Sequence, residues 1–396
     1  MHYSFVRSTI AQKTLLIAAC LLAGGCSSLD GLFSGTTRLP DAAPPPLESL
    51  PLEDPIDPNR FVIESPFQSV VGVPQVVFTT AEDTLPDFAL EYGVGYDELL
   101  AANPGVDPWL PGENRAIIVP TQFVLPEMVR EGVVLNIATK RLFYFPADGI
   151  KRDPETNEIT SQVVLTYPIG IGRVGWETPL GATKVVSKAK DPTWWVPSSV
   201  RKEHAEMGDP LPSIVPPGPD NPLGTRVLKL DMPGYLIHGT NQPYGVGMRV
   251  SHGCVRLYPE NIESLYELVD VGEPVTIVNE PYQLGQLNGE WYFESHAPLE
   301  DDSVDPEQRL AGILERISVL AISDLPDHVR AIASASSGLP VRIAELDETE
   351  VLTRVRRVHN TIEVDPDAPT LEEVREMIDE AVAEADLETV GKLATD

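Results

Sequence analysis

The chain has 396 residues, enough for about two or three domains, and 42% of them are hydrophobic, an ordinary share for a folded protein. Its 60 Asp and Glu against 29 Lys and Arg give a net charge of −31, which phosphate would repel, so nucleic acid is excluded as a partner. The 38 prolines favour loops, edge strands and linkers over long helices.

Residues 1–25 read as a targeting segment. Arg7 and Lys13 make a positive start, and Thr14–Ala23 is an apolar stretch too short to span a bilayer comfortably. Gly24–Gly25–Cys26–Ser27–Ser28 follows, and the whole resembles a bacterial lipoprotein signal. That resemblance implies a cut before Cys26, lipid on Cys26, loss of Cys20 and, with Ser27 next in line, passage to the outer membrane. The mature chain then holds one free thiol, Cys254, and can form no internal disulfide. An unpaired thiol in an oxidising compartment is a liability unless it has a task. Residues 26–71 carry Pro40, Pro44, Pro45, Pro46, Pro51, Pro55 and Pro58 among acidic and small residues, and read as an extended tether.

Residues 72–121 form a small module. Val76–Thr79 is a β-branched run, Asp83–Thr84 can cap a helix over Leu85–Tyr92, and Gly93–Val94–Gly95 breaks it. A second helix over Tyr96–Ala102 stops at Asn103–Pro104–Gly105, and Ala116–Val119 is a strand. The stretch EDTLPDFALEYGVGYDELLAANPGVDPWLPGENRAIIVP resembles a LysM module, which implies binding to the glycan strands of peptidoglycan. The alternative is a packing module that binds nothing.

Residues 125–281 read as a mostly-β domain. Strands are predicted over Val133–Pro146, Val163–Ile171, Thr183–Lys188, Arg226–Leu230, Gly234–His238 and Pro274–Val278. The helix signals are Ser198–Met207 and Glu260–Val269. Around the thiol stand Tyr235–Leu–Ile–His238–Gly239–Thr240 and Ser251–His252–Gly253–Cys254–Val255–Arg256–Leu257. Cysteine reacts as its thiolate and needs a base or cation beside it, which His238 or His252 can supply. Gly253 permits a tight turn and leaves backbone N–H groups to face an oxyanion. Two other readings of the same residues stand open. One is a packed core thiol; the other is a metal site of His238, His252 and Cys254, although that spacing does not match the common paired zinc motifs.

HGT and SHGCVRL, with GWETPLGATKV upstream, resemble the L,D-transpeptidase (YkuD-like) catalytic domain. The likeness includes TYPIGIGRVGWETPLG, PTWWVPSSVRKEHAEMG and PPGPDNPLG. It implies a β-sandwich fold with Cys254 as nucleophile, His238 as general base and acid, and the Gly239 carbonyl orienting His238. Ser251, His252 and Gly253 would shape the turn and oxyanion pocket. Arg256 would hold a substrate carboxylate or brace the loop, and Thr178, Pro179 and Gly181 would line the cleft. Trp194 and Trp195 fit a substrate wall or a core, with core preferred. No metal and no cofactor is needed. The resemblance implies peptidoglycan as donor and, as acceptor, another stem peptide, an envelope lipoprotein or water. A catalytically silent glycan-binding anchor is the rival.

Residues 301–396 lie outside these resemblances and hold 23 acidic against 9 basic residues. Helices are expected over Pro306–Ile322, Pro326–Ala335 and Leu371–Ala385, and short strands over Val341–Ile343 and Thr361–Val364. This reads as an acidic α-rich extension with no motif to assign its role.

Overall fold

The computed structural model describes residues 46–127, 130–318, 325–343, 348–363, 369–379 and 382. The expected signal, Cys26 and the first part of the expected tether lie outside these residues. Among the described residues no helix is long and apolar enough to cross a membrane.

Residues 46–71 correct the tether reading. They supply strands β1 (Leu52–Glu53) and β2 (Arg60–Ile63) and most of β3 (Val70–Gly72). β1 and β2 are edge strands of two different sheets. Pro51, Pro55 and Pro58 fall outside the strands, where a missing N–H breaks no ladder. Ile63 and Val71 are buried in a core with Phe123, Val134 and Phe143, so the segment is bound by the apolar surface it covers.

The small module contains β4 (Gln75–Phe78), α1 (Leu85–Glu91), α2 (Tyr96–Ala102) and β5 (Ala116–Val119). Thr84 caps α1 by accepting the Asp87 N–H at 3.3 Å, and Glu98 of α2 reaches back to the Gly95 N–H at 2.9 Å. Leu85, Phe88, Leu99, Ile117 and Val119 share its core. The module is fastened to its neighbour by a buried ion pair. Arg141 donates to both Glu98 oxygens, at 2.7 and 3.1 Å. At Gly247, with φ +88°, an added Cβ would lie 2.4 Å from the Gly95 Cα, so the two backbones meet with no room for a side chain.

The larger domain runs through β6 (Gln122–Val124), β7 (Gly132–Asn136), β8 (Arg141–Phe145), β9 (Ile150–Arg152), β10 (Ile159–Pro168), β11 (Ile171–Gly172) and β12 (Gly181–Lys190). Then come β13 (Trp194–Trp195), α3 (Ser198–Met207), β14 (Ile214–Val215), β15 (Arg226–Leu230) and β16 (Leu236–His238). β17 (Arg249–Ser251), β18 (Val255–Arg256), α4 (Pro259–Leu268) and β19 (Pro274–Val278) complete it. The single strand expected over Val133–Pro146 is a hairpin of β7 and β8, turned at Lys140 with φ +50°. Both strands are buried on both faces, which erased the polar alternation that would have separated them.

The main sheet follows the order β18-β16-β15-β12-β19-β7-β8-β10-β2, with β9 beside β10. β12 is its corner: Gly181–Lys184 pair with β19, and Val185–Lys190 pair with β15 across a bulge. The two wings enclose one core. Val133, Leu135, Val275 and Ile277 come from one side, and Leu228, Leu230, Ile237 and Val255 from the other.

Beyond it stand β20 (Tyr282–Leu287), β21 (Glu290–Ser295), α5 (Pro306–Ile317), α6 (Leu325–Ala335), β22 (Val341–Arg342) and β23 (Arg356–Val358), then a helix over 371–379. The extension is joined to the sheets of the rest of the fold. β22 pairs with β21, and β23 lies between β1 and β4 in the sheet of the small module. The strand expected over Thr361–Val364 is absent at 361–363, because the pairing partner sits earlier, at Arg356–Val358. Residue 364, and the expected helical residues 319–322, 380, 381 and 383–385, lie outside the described residues.

Candidate active site

β16 and β18 run parallel, with Ile237 opposite Val255 and His238 opposite Arg256. Side chains alternate along such strands. Ile237, Val255 and Leu257 therefore enter the core, at most 1% exposed, and Leu236, His238, Cys254 and Arg256 take the other face. The thiol immediately before β18 and the ring at the end of β16 are thus diagonal neighbours on one surface.

His238 is buried, and its Nδ1 stands 2.6 Å from the Gly239 carbonyl oxygen. A carbonyl only accepts, so Nδ1 carries the ring proton and Nε2 keeps its lone pair. Burial first, and the Arg256 charge second, push the ring's pKa down from 6.5 to about 3, against the Gly239 carbonyl. Burial also pushes the Cys254 thiol up, against the Leu236 backbone amide and the Arg256 charge. The thiol donates to the Gly234 carbonyl at 3.5 Å. The resting pair is a thiol and a neutral imidazole, so proton transfer must accompany attack by sulfur.

Gly253 has φ +95°, and an added Cβ would lie 3.0 Å from the Tyr235 ring, so the turn before Cys254 requires glycine. Ser251 Oγ donates to the Cys254 carbonyl at 2.5 Å. Thr178 is buried; its Oγ1 donates to the Gly253 carbonyl at 3.0 Å and accepts the Gly172 N–H at 3.1 Å. Thr178 therefore clamps the turn, with half-buried Pro179 beside it. Gly181 is not brought to the thiol: it is exposed and opens β12 opposite Ile277, two strands from β16. Gly239 is buried. Arg256 exchanges backbone hydrogen bonds with Gly170 at 2.9 and 3.0 Å while its charge acts on both His238 and Cys254.

The core preference fails for Trp195. Trp195 is 71% exposed and Trp194 half-buried, on a two-stranded ribbon with β14. The metal set is not assembled either. His252 gives its Nε2 to Glu203 at 2.7 Å, and among the described residues no three His, Cys, Asp or Glu side chains are placed to hold a metal ion. Arg173 and Glu203 went unnoticed in sequence, although both lie inside quoted stretches. Their signal is a contact across 30 residues, which local pattern does not carry.

A lone-pair imidazole and, just after a glycine turn, a thiol on the same sheet face suit acyl transfer through a thioester. The family model described as the L,D-transpeptidase catalytic domain matches residues 130–277. The chain is 36% identical over 340 residues to the probable L,D-transpeptidase YbiS of Escherichia coli, covering 84% of this chain and 98% of that protein. It is 40% identical over 267 residues to the probable L,D-transpeptidase ErfK/SrfK of the same organism, covering 66% and 82% of the two chains. The chain belongs to the L,D-transpeptidase family.

Proposed function

We propose that this L,D-transpeptidase acts on peptidoglycan with Cys254 as nucleophile and His238 as base and acid. The observation that carries this is the fixed tautomer of His238, whose Nε2 lone pair lies on the face that Cys254 shares. Sulfur attacks the carbonyl of the third residue of a stem tetrapeptide as its proton passes to Nε2. An S–C bond forms, the C–N bond to the terminal D-alanine breaks, and Nε2 returns the proton to the leaving amine. The amides of Gly253 and Cys254 receive the oxyanion. An acceptor amine then attacks the thioester, gives its proton to Nε2, and releases the thiol. A stem-peptide amine gives a cross-link, a lipoprotein lysine gives protein attachment, and water gives carboxypeptidase activity.

The module over 72–121 is read as LysM-like and peptidoglycan-binding, and Cys26 as the lipid anchor in the outer membrane facing the periplasm. Intact mass spectrometry with a purified disaccharide tetrapeptide tests the chemistry. Loss of D-alanine with an adduct on Cys254 is expected in the wild type and not in Cys254→Ala. Unchanged turnover in Cys254→Ala would refute it. Retention of glycan binding with no transfer, in the intact enzyme, would favour the silent anchor.

A further inference from the structure

Resting on the acyl-transfer reading, we propose that Glu203 is a positioning residue: from α3 it grips the His252 side chain and so holds the Ser251–Cys254 turn in its reactive shape. Beside the Arg173 N–H that donates to the Ser251 carbonyl at 3.0 Å, three side-chain hydrogen bonds restrain the turn. Ser251 Oγ holds the Cys254 carbonyl and Thr178 Oγ1 holds the Gly253 carbonyl. The third comes from outside the sheet: Glu203 Oε2 lies 2.7 Å from His252 Nε2. A carboxylate only accepts, so the ring proton sits on Nε2 and donates to Glu203. Arg173 Nη2, 3.2 Å from the same nitrogen, then serves the carboxylate and not the ring. The Trp176 ring meets the His252 ring edge-on at 5.0 Å, which fixes its plane.

Glu203 has a second task in the same contact. Arg173 is 1% exposed and pairs with the other Glu203 oxygen. Its Nε and Nη1 are buried without a hydrogen-bond partner among the described residues, so the carboxylate is what compensates this buried charge. The helix that carries Glu203 has little else to hold it. Val200 is the single buried side chain of α3, and Lys202 and Glu206 point to solvent. The surrounding segment is tied at its base, where Asn221 Nδ2 donates to the Pro192 and Pro216 carbonyls at 2.8 and 3.1 Å. The hydrogen bond that attaches α3 to the reactive turn is therefore made by Glu203, beside a tilted contact of the His204 and His252 rings at 6.0 Å. Without it, the His252 Nε2–H loses its acceptor and the hold on Cys254, two residues on, is loosened; misplacement by about 1 Å costs about 100-fold in rate.

The test is a double-mutant cycle on the rate of Cys254 thioester formation, with Glu203→Ala, His252→Asn and the pair. Each single change is expected to slow acylation by roughly 10- to 100-fold without weakening stem-peptide binding, and the pair is expected to be no slower than the worse single. Glu203→Gln, which keeps an acceptor for His252, is expected to recover most of the rate. If Glu203→Ala does not fold because Arg173 is stranded, Arg173→Met/Glu203→Ala removes both charges and the same slowing is expected. Acylation by Glu203→Ala as fast as wild type, or losses that multiply in the pair, overturns the role of Glu203 alone. A wild-type chain that forms no thioester overturns the acyl-transfer reading with it.

Discussion

The neutral state of His238 has a thermodynamic consequence that can be measured without substrate. In the unfolded chain the ring titrates near 6.5, and in the folded chain burial and Arg256 hold it down to about 3. Between those values the unfolded chain takes up a proton that the folded chain refuses, so this site's stability is complete above pH 6.5 and is lost as pH falls toward 3. At pH 5 the unfolded state gains about 2 kcal/mol relative to neutral pH from this ring alone, a sizeable share of a typical ~5–15 kcal/mol. Urea unfolding of wild type and His238→Gln at pH 7.5 and pH 5 isolates it, because every other titrating group is common to both chains. The wild type is expected to lose about 2 kcal/mol more than the variant. Parallel losses would show that the folded ring protonates as readily as the unfolded one, and the neutral-pair mechanism would fall. The same assignment places the acid limb of thioester formation well below pH 6.

Other outcomes follow from single contacts. Gly253→Ala forces a Cβ against the Tyr235 ring at φ +95°; it should cost about 1–3 kcal/mol and slow acylation strongly, seen by calorimetry and adduct kinetics. Arg141→Ala strands the buried Glu98 carboxylate between module and catalytic domain; a loss of about 3–5 kcal/mol is expected in thermal melts, and a change under 1 kcal/mol would mean the two parts are held by other contacts.

Much of the candidate site was legible locally. The spacing of His238 and Cys254, the turn glycine, α2, α3, β5, β15 and β19 were read from residues that are neighbours in sequence. One local signal was overlooked: Asn288–Gly289, at φ +53° and +84°, turns the β20–β21 hairpin, and such a pair between apolar runs marks a two-residue turn. The β7–β8 hairpin was hidden for a different reason, since strands buried on both faces lose the alternation that marks their ends.

The sequence by itself determined which residues could do the chemistry and where the chain turns, because reactive groups, caps and turn glycines act through their immediate neighbours. Tertiary structure alone decided the rest. It made strands of a proline-rich segment by giving Ile63 and Val71 a core to cover. It set Arg357 beside Leu52 in a parallel ladder, closed Thr178 onto the turn, and brought Glu203 to His252. It also fixed the protonation of His238, through burial and a neighbouring charge. Ladder partners, buried charges and desolvation depend on what the fold places nearby in space, and local sequence carries no record of that.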